Sequence, residues 1–384
     1  MQTSIAITRE TDPIRAADEI AQQLLASAPE LAAIILFAAP SYDHEALLKR
    51  LHERTGAIIV GASSAGEFAN ETQGEGLASA LALGGDDVHV RISSARSITA
   101  DPEKAARDIV AGFLGLEDMR PGHRSALVMT DALAGHADQL VDALTLATAG
   151  QYQFFGGGAG DNAQFQKTTV FCGTDVLANA AVALEIISDK PIGIGVSHGW
   201  EPASEPLRVT DVEGARLISL NGLPAVEAFE AHAVATGQTL DPAAPIPFFL
   251  HNILGIDTPS GQKLRVPLAI FEDGAVLCAA EIPMDAIVRI MRSSHDSTVE
   301  AAESAADAAL KALEGHAPQA ALFFDCVATR LRMGQAFGRE LSAVRQRLGG
   351  VNLTGCNSHG QIARAEGQFQ GFHNCTAVVC LLPA

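Results

Sequence analysis

Two periods of apolar residues alternate along the chain, and their alternation repeats. Ile14, Ala17, Ala21, Leu24 and Leu25 fall on one stripe behind Asp12 and Pro13, predicting an amphipathic helix over 13–27 capped by Asp12. Residues 31–37 read as a buried strand, 43–54 as a second helix and 57–60 as a strand leading into Gly61. Residues 77–83 and 88–93 read as strands joined by a hairpin turn at Gly84-Gly85-Asp86-Asp87. The same order of helix, strand, helix, strand and glycine restarts at Pro102, reaching Gly156, and again at Thr298, reaching Gly355.

The loops that close these units are alike. Gly61-Ala62-Ser63-Ser64-Ala65-Gly66-Glu67-Phe68-Ala69 is echoed by Gly355-Cys356-Asn357-Ser358-His359-Gly360-Gln361-Ile362-Ala363, and more loosely by Phe155-Gly156-Gly157-Gly158-Ala159-Gly160-Asp161. Three copies imply a duplicated architecture in which the glycines serve sharp turns and close backbone approach. A different stretch separates the second and third units. It holds strands at 192–196 and 207–212, a helix starting after Asn221-Gly222-Leu223-Pro224, a Pro-rich run at 241–247, and a hairpin of 264–270 with 275–280. The expected fold is α/β, with mixed sheets built from repeated helix–strand–helix–strand–Gly loop–strand units in two domains, 1–222 and 223–384.

Composition narrows the function. At 384 residues the chain exceeds the ~250–300 residues of a single core. With 48% apolar but only 5% aromatic residues, that core consists mainly of Ala, Leu, Ile and Val. A net charge of −19 argues against nucleic-acid and anionic-membrane partners. The longest apolar run, near 31–39, is far short of the ~20 residues that cross a bilayer, and the first residues lack a signal-peptide core. A soluble, cytoplasmic protein is expected. Its six cysteines follow no disulfide framework and are expected to be reduced.

Several constellations could carry chemistry. Ser64 occupies the nucleophile slot of a degenerate elbow, but the residues after it read as a strand where such elbows need a helix. Ser358 fills the same slot in the third unit, which suits a shared loop hydrogen bond better than a unique nucleophile. Gly156–Gly160 lacks both the helix and the Lys-Ser/Thr pair of a phosphate cradle. Cys356, His359, His373 and Cys375, with Cys326 and Cys380, supply zinc-type ligands without the usual Cys knuckle. Haem needs only one axial His over an apolar cavity; His251, His359, His373 and His198 are candidates, and no covalent attachment motif is present.

In sum, the order of motifs resembles the FIST family of bacterial intracellular sensory and signal-transduction proteins. Ser197-His198-Gly199-Trp200, Asn221-Gly222-Leu223-Pro224-Ala225, His251-Asn252-Ile253-Leu254-Gly255, Asp325-Cys326 and His373-Asn374 join the glycine loops in carrying that resemblance, which covers nearly the whole chain. It implies a small-ligand sensor, with amino acids or other small metabolites as one class of ligand, rather than an enzyme; a Ser/Cys hydrolase is the remaining alternative. One branch, the NosP proteins, binds haem, senses nitric oxide and acts on a separate histidine kinase or cyclic-di-GMP enzyme. This chain resembles that branch in being a FIST pair alone. It departs from the family pattern at His359, where an aromatic residue is usual, and at His251-Asn252, where His-Pro is usual. The resemblance thus implies haem b, with His359 as first axial candidate, His373 second, His251 a further one, and Cys356 or Phe372 beside the pocket; whether the chain forms a homodimer is left open by the sequence.

Overall fold

The computed structural model describes residues 1–28, 30–116, 122–259, 261–365 and 371–384. The predicted first helix forms at Pro13–Ser27, and the Asp12 side chain accepts the Arg15 N–H at 2.9 Å. Each repeat builds one parallel strand pair: Ala33–Ala38 with Ile58–Ser63, His123–Thr130 with Gln153–Gly158, and Pro318–Cys326 with Asn352–Ser358. An antiparallel strand then lies against the first member of each pair: Ala78–Gly84, Ala180–Ser188 and Ala377–Pro383. The result is three six-stranded mixed sheets.

These sheets exchange hairpins in a cycle. Glu67–Ala69 and Thr72–Gly74 of the first unit complete the third unit's sheet, through pairing with Asn352–Ser358. Val170–Cys172 and Asp175–Leu177 of the second unit complete the first sheet. Gln361–Arg364 and Gly371–His373 of the third unit complete the second. No unit can therefore finish its sheet alone. Apolar side chains from all three sheets, including Phe37, Phe155 and Phe324, meet in one central core. The outer faces are covered by helix pairs, one per unit: Pro13–Ser27 with His44–Thr55, Pro102–Val110 with Ala137–Ala147, and His295–Ala312 with Phe337–Arg347.

One sequence expectation is corrected here. Gly84 to Asp87 does not turn a hairpin, because Val88–Arg96 leaves the first sheet and pairs with Ala180–Ser188 in the second. A nine-residue antiparallel register with that strand outweighs the local turn signal.

The intervening stretch forms a fourth, nine-stranded sheet, running from Glu201–Pro202 to Ile287–Arg292. The predicted hairpin around Glu272-Asp273-Gly274 is present as Pro267–Ile270 against Val276–Cys278. Strands from both sides of residue 222 share this sheet, with Arg216–Leu220 pairing Val276–Cys278. Ala225–Thr236 and the aromatic residues Phe248 and Phe249 give it a separate core. Gly193–Ser197, just before it, instead joins the third unit's sheet beside Ala377–Pro383.

Candidate functional site

The three glycine loops meet at the centre of the molecule. The Ala65 N–H donates to the Asn357 carbonyl at 2.8 Å, and the Asn357 N–H returns a bond to Gly66. The Gly160 N–H donates to Ser63 at 2.7 Å, while Gly158 and the 359–360 segment exchange bonds at 2.8 and 3.1 Å. Ser358 is buried with its hydroxyl on the carbonyls of Asp325 and Gly360, the architectural role its repetition suggests. Ser64 is fully buried and donates to Glu67 Oε1 at 2.6 Å. Burial pushes the Glu67 carboxyl up to about 7 against the opposing hydrogen bonds of Ser64, Leu77 and Gly66. A strand, Glu67–Ala69, follows this serine, so it sits on no nucleophile elbow.

His359 lies one residue beyond the end of Asn352–Ser358, where the chain leaves the sheet. There it faces a cavity of about 620 Å³ between the second and third units and the fourth sheet. Leu250, Val266, Leu268 and Leu277 form much of its apolar wall, while Leu133, Phe165 and Leu331, each at least 40% exposed, form its rim. No Lys or Arg lines it among the described residues.

The His359 side chain is 3% exposed, and neither ring nitrogen makes a hydrogen bond. Nε2 stands 3.4 Å from Asp161 Oδ1, too poorly aligned to count as one. Burial lowers its pKa to about 4 despite the Asp161 carboxylate, so the ring is neutral at pH 7. Two further lining residues carry buried oxygens without partners: Glu281 Oε2 and Asn374 Oδ1. Buried polar atoms normally find partners, so three lining residues with unsatisfied polar atoms single out this cavity, although each of those atoms is itself shut off from open space.

Asp161 shapes the near wall. Its two carboxylate oxygens accept the backbone N–H groups of Gln164, Phe165, Gln166 and Lys167 at 2.7–3.1 Å. Burial alone would raise its pKa, but these N–H groups hold it below the usual value. The loop so fastened contains Asn162, Ala163 and Phe165, all with φ between 53° and 59°, a conformation costly for side-chain-bearing residues. Its product is the Phe165 ring stacked on His359, with centroids 4.8 Å apart and planes 26° from parallel.

Of the candidate haem-site residues His359, His373, His251, Cys356 and Phe372, only His359 lines this cavity, which Cys326 and Asn374 also line. Cys356 points into the central core, and burial raises its thiol pKa well above the ordinary value. Phe372 packs behind the loop, where a Cβ on Gly360 would come within 2.1 Å of its ring. His373 is buried beside Lys263, Asp138, Arg265 and His198, and burial followed by Lys263 brings it down to about 3. His251 is exposed on the turn after Ile246–Phe249. His198 has its Nε2 on the Gln262 carbonyl at 3.1 Å and its Nδ1 on the Trp200 N–H. Among the described residues, no cluster of three or more His, Cys, Asp or Glu is arranged to hold a metal ion. Sequence reasoning missed Asp161, Phe165, Glu281 and Asn374; only the Gly160-Asp161-Asn162 turn chemistry hinted at the first.

The neutral imidazole gives a pH prediction. Between pH 6.5 and about 4 the unfolded chain binds a proton at residue 359 and the folded chain does not, so stability falls as pH falls through this window. His359→Gln is expected to flatten that dependence by about 1.4 kcal/mol per pH unit, read by urea unfolding of ligand-free protein at stepped pH.

Two uncharacterised proteins of Mycobacterium tuberculosis, from strains CDC 1551 / Oshkosh and ATCC 25618 / H37Rv, are each 23% identical over 280 residues, covering 68% of this chain and 69% of theirs. A cyanuric acid hydrolase from A. caulinodans aligns over 100% of this chain and 99% of its own at 10% identity and a TM-score of 0.33. PurLQS from Thermotoga maritima aligns over 100% and 73% at 11% identity and a TM-score of 0.23. Neither score supports an argument about fold or chemistry. No helix among the described residues is long and apolar enough to cross a membrane. The model of the FIST N domain matches residues 32–223 and that of the FIST C domain residues 227–364, and the chain belongs to the FIST family, whose domains are sensory, ligand-binding signalling modules.

Proposed function

We propose that this protein senses a small ligand held in the cavity beside His359, that the ligand is haem b, and that nitric oxide is the signal. The observation that carries the reading is the buried, neutral imidazole with neither nitrogen hydrogen-bonded, facing an apolar space of about 620 Å³. Metal ligation requires an unprotonated imidazole, and ligand pockets run to ~300–1,000 Å³. His359 would hold the iron, Phe165 fixes the plane of its ring, and Asp161 fixes Phe165. The aliphatic walls would suit the apolar face of a macrocycle, and no Lys or Arg among the described lining residues would pair with its carboxylates. Bound haem would supply an iron centre able to take nitric oxide, with His359 as the residue that would hold it.

The movable element in this account is the loop from Asn162 to Phe165. It is held in a costly backbone conformation by one carboxylate, and Phe165 reaches from His359 to the surface with 41% exposure. A shift of the imidazole therefore changes a surface feature that a separate histidine kinase or cyclic-di-GMP enzyme can read.

Glu281 Oε2 and Asn374 Oδ1 favour a second reading, a haem-free sensor of a metabolite with an apolar body and an amino group. A free amino acid fits less well, since its carboxylate would meet no cation. Thermal unfolding separates the readings. One equivalent of haem is expected to raise Tm while amino acids and amines leave it unchanged. A rise with an amine and none with haem would establish the second reading instead.

A further inference from the structure

Two cysteines meet at the edge of the same cavity. Cys326 ends Pro318–Cys326 and lines the cavity wall; Cys375 lies in the turn before Ala377–Pro383, next to the lining residue Asn374. Both pack in a small apolar cluster with Trp200, Leu264 and Met291. Their thiols interact directly, and the Cys326 sulfur also faces the backbone N–H groups of Cys375, Ala328 and Thr329. None of these makes a formal cap bond, so the sulfur is held by converging dipoles rather than one strong donor. Cys375 adopts φ 51°, a left-handed conformation unusual for a side-chain-bearing residue, as it brings its thiol there.

We propose that Cys326 and Cys375 form a redox pair that a small hydroperoxide entering the cavity converts from dithiol to disulfide. The Cys326 thiolate attacks one peroxide oxygen. An S–O bond forms as the O–O bond breaks, and the departing hydroxide (alkoxide from an organic hydroperoxide) takes up the proton that Cys326 gave up and leaves as water (or alcohol). The Cys375 sulfur then attacks the Cys326 sulfur, the S–S bond forms, and the S–O bond breaks. Its hydroxide leaves as a second water with the Cys375 proton. Two electrons pass from the two sulfurs to the peroxide.

The division of labour follows from the surroundings. The Cys375 thiol, ahead of the backbone N–H groups, draws Cys326 down to about 7 against burial, while Cys375 is raised and keeps its proton. Cys278 is the internal control. It lines the same cavity, but burial pushes it up to about 12, and it should stay reduced. A disulfide would tie the Val327–Ala328 wall to Asn374 and so reshape the ligand site. The pair acts without haem, so the proposal stands or falls separately from the identity of the ligand.

The test uses the full-length, haem-free chain treated with a small excess of hydrogen peroxide, unfolded, alkylated and mapped by mass spectrometry. The expected product is a single disulfide joining residues 326 and 375, reversed by dithiothreitol, with the other four thiols free. In Cys375→Ser the expected product is a sulfenic acid at Cys326, trapped by dimedone. Should this variant fail to fold, the wild-type map decides alone. Cys326 and Cys375 both remaining alkylatable while other cysteines or methionines oxidise would overturn the proposal, as would a disulfide between any other pair.

Discussion

Gly355→Ala is expected to destabilise the fold by at least about 3 kcal/mol, at the upper end of what overpacking a core costs. A Cβ at Gly355 would stand 1.8 Å from the Phe323 carbonyl oxygen, which belongs to the paired strand and cannot rotate away. The equivalent contacts are 1.8 Å from Gly61 to Leu36 and 2.0 Å from Gly156 to Val128, so Gly61→Ala and Gly156→Ala should behave alike. Each glycine lies where a parallel strand pair runs toward the shared centre. Because the sheets exchange hairpins, damage to one unit is transmitted to the others, and unfolding should remain a single transition. Gly74→Ala is the control. Its Cβ would meet Leu77 Cδ1 at 3.5 Å and Cγ at 3.9 Å, ordinary contacts, and the change should stay within about 0.5 kcal/mol by urea denaturation.

If haem is the ligand as proposed, Asp161→Ala should lower its affinity by at least about tenfold, a loss near 1.4 kcal/mol, without touching His359. The substitution leaves the backbone N–H groups of Phe165, Gln166 and Lys167 without their acceptor, while Gln164 keeps the Asp161 carbonyl at 3.2 Å, and it removes the carboxylate that fastens residues 164–167. Asn162, Ala163 and Phe165 then have reason to leave their left-handed conformations, and the Phe165 ring leaves His359. Asp161→Asn keeps one acceptor oxygen and should fall between the variant and the wild type. Haem titration followed by absorbance gives the affinities. Equal affinity in all three proteins would remove Asp161 and its loop from the site.

The helices and the repeated loops were legible because they depend on local signals. Asp12, Pro13 and the apolar stripe behind them define the first helix, and the glycine loops starting at Gly61, Gly156 and Gly355 mark the units. The exchanged hairpins were not legible, since Glu67–Ala69 pairs with residues almost 290 positions away and nothing in its own composition says so. The same non-local pairing undid the hairpin expected at Gly84–Asp87.

The candidate site divides along similar lines. His359 stood out because it breaks the repeat where the first copy has Ala65, and it does face the cavity. Cys356 breaks the repeat too, against Ala62, but it lies within Asn352–Ser358 with its side chain in the central core, whereas His359 lies just past the strand end. Position along the strand, not residue type, separates the two. Asp161 works through backbone N–H groups that any sequence would offer, and Cys326 and Cys375 are 49 residues apart and joined only by the sheet.

Spectra of the haem-reconstituted wild type and His359→Ala, ferrous and with nitric oxide bound, test the central claim most directly. The account predicts a wild-type ferrous spectrum with imidazole ligation that His359→Ala lacks, together with a changed nitric oxide response in the variant and recovery of the ferrous spectrum on adding imidazole. A His359→Ala protein that keeps both wild-type spectra would contradict it.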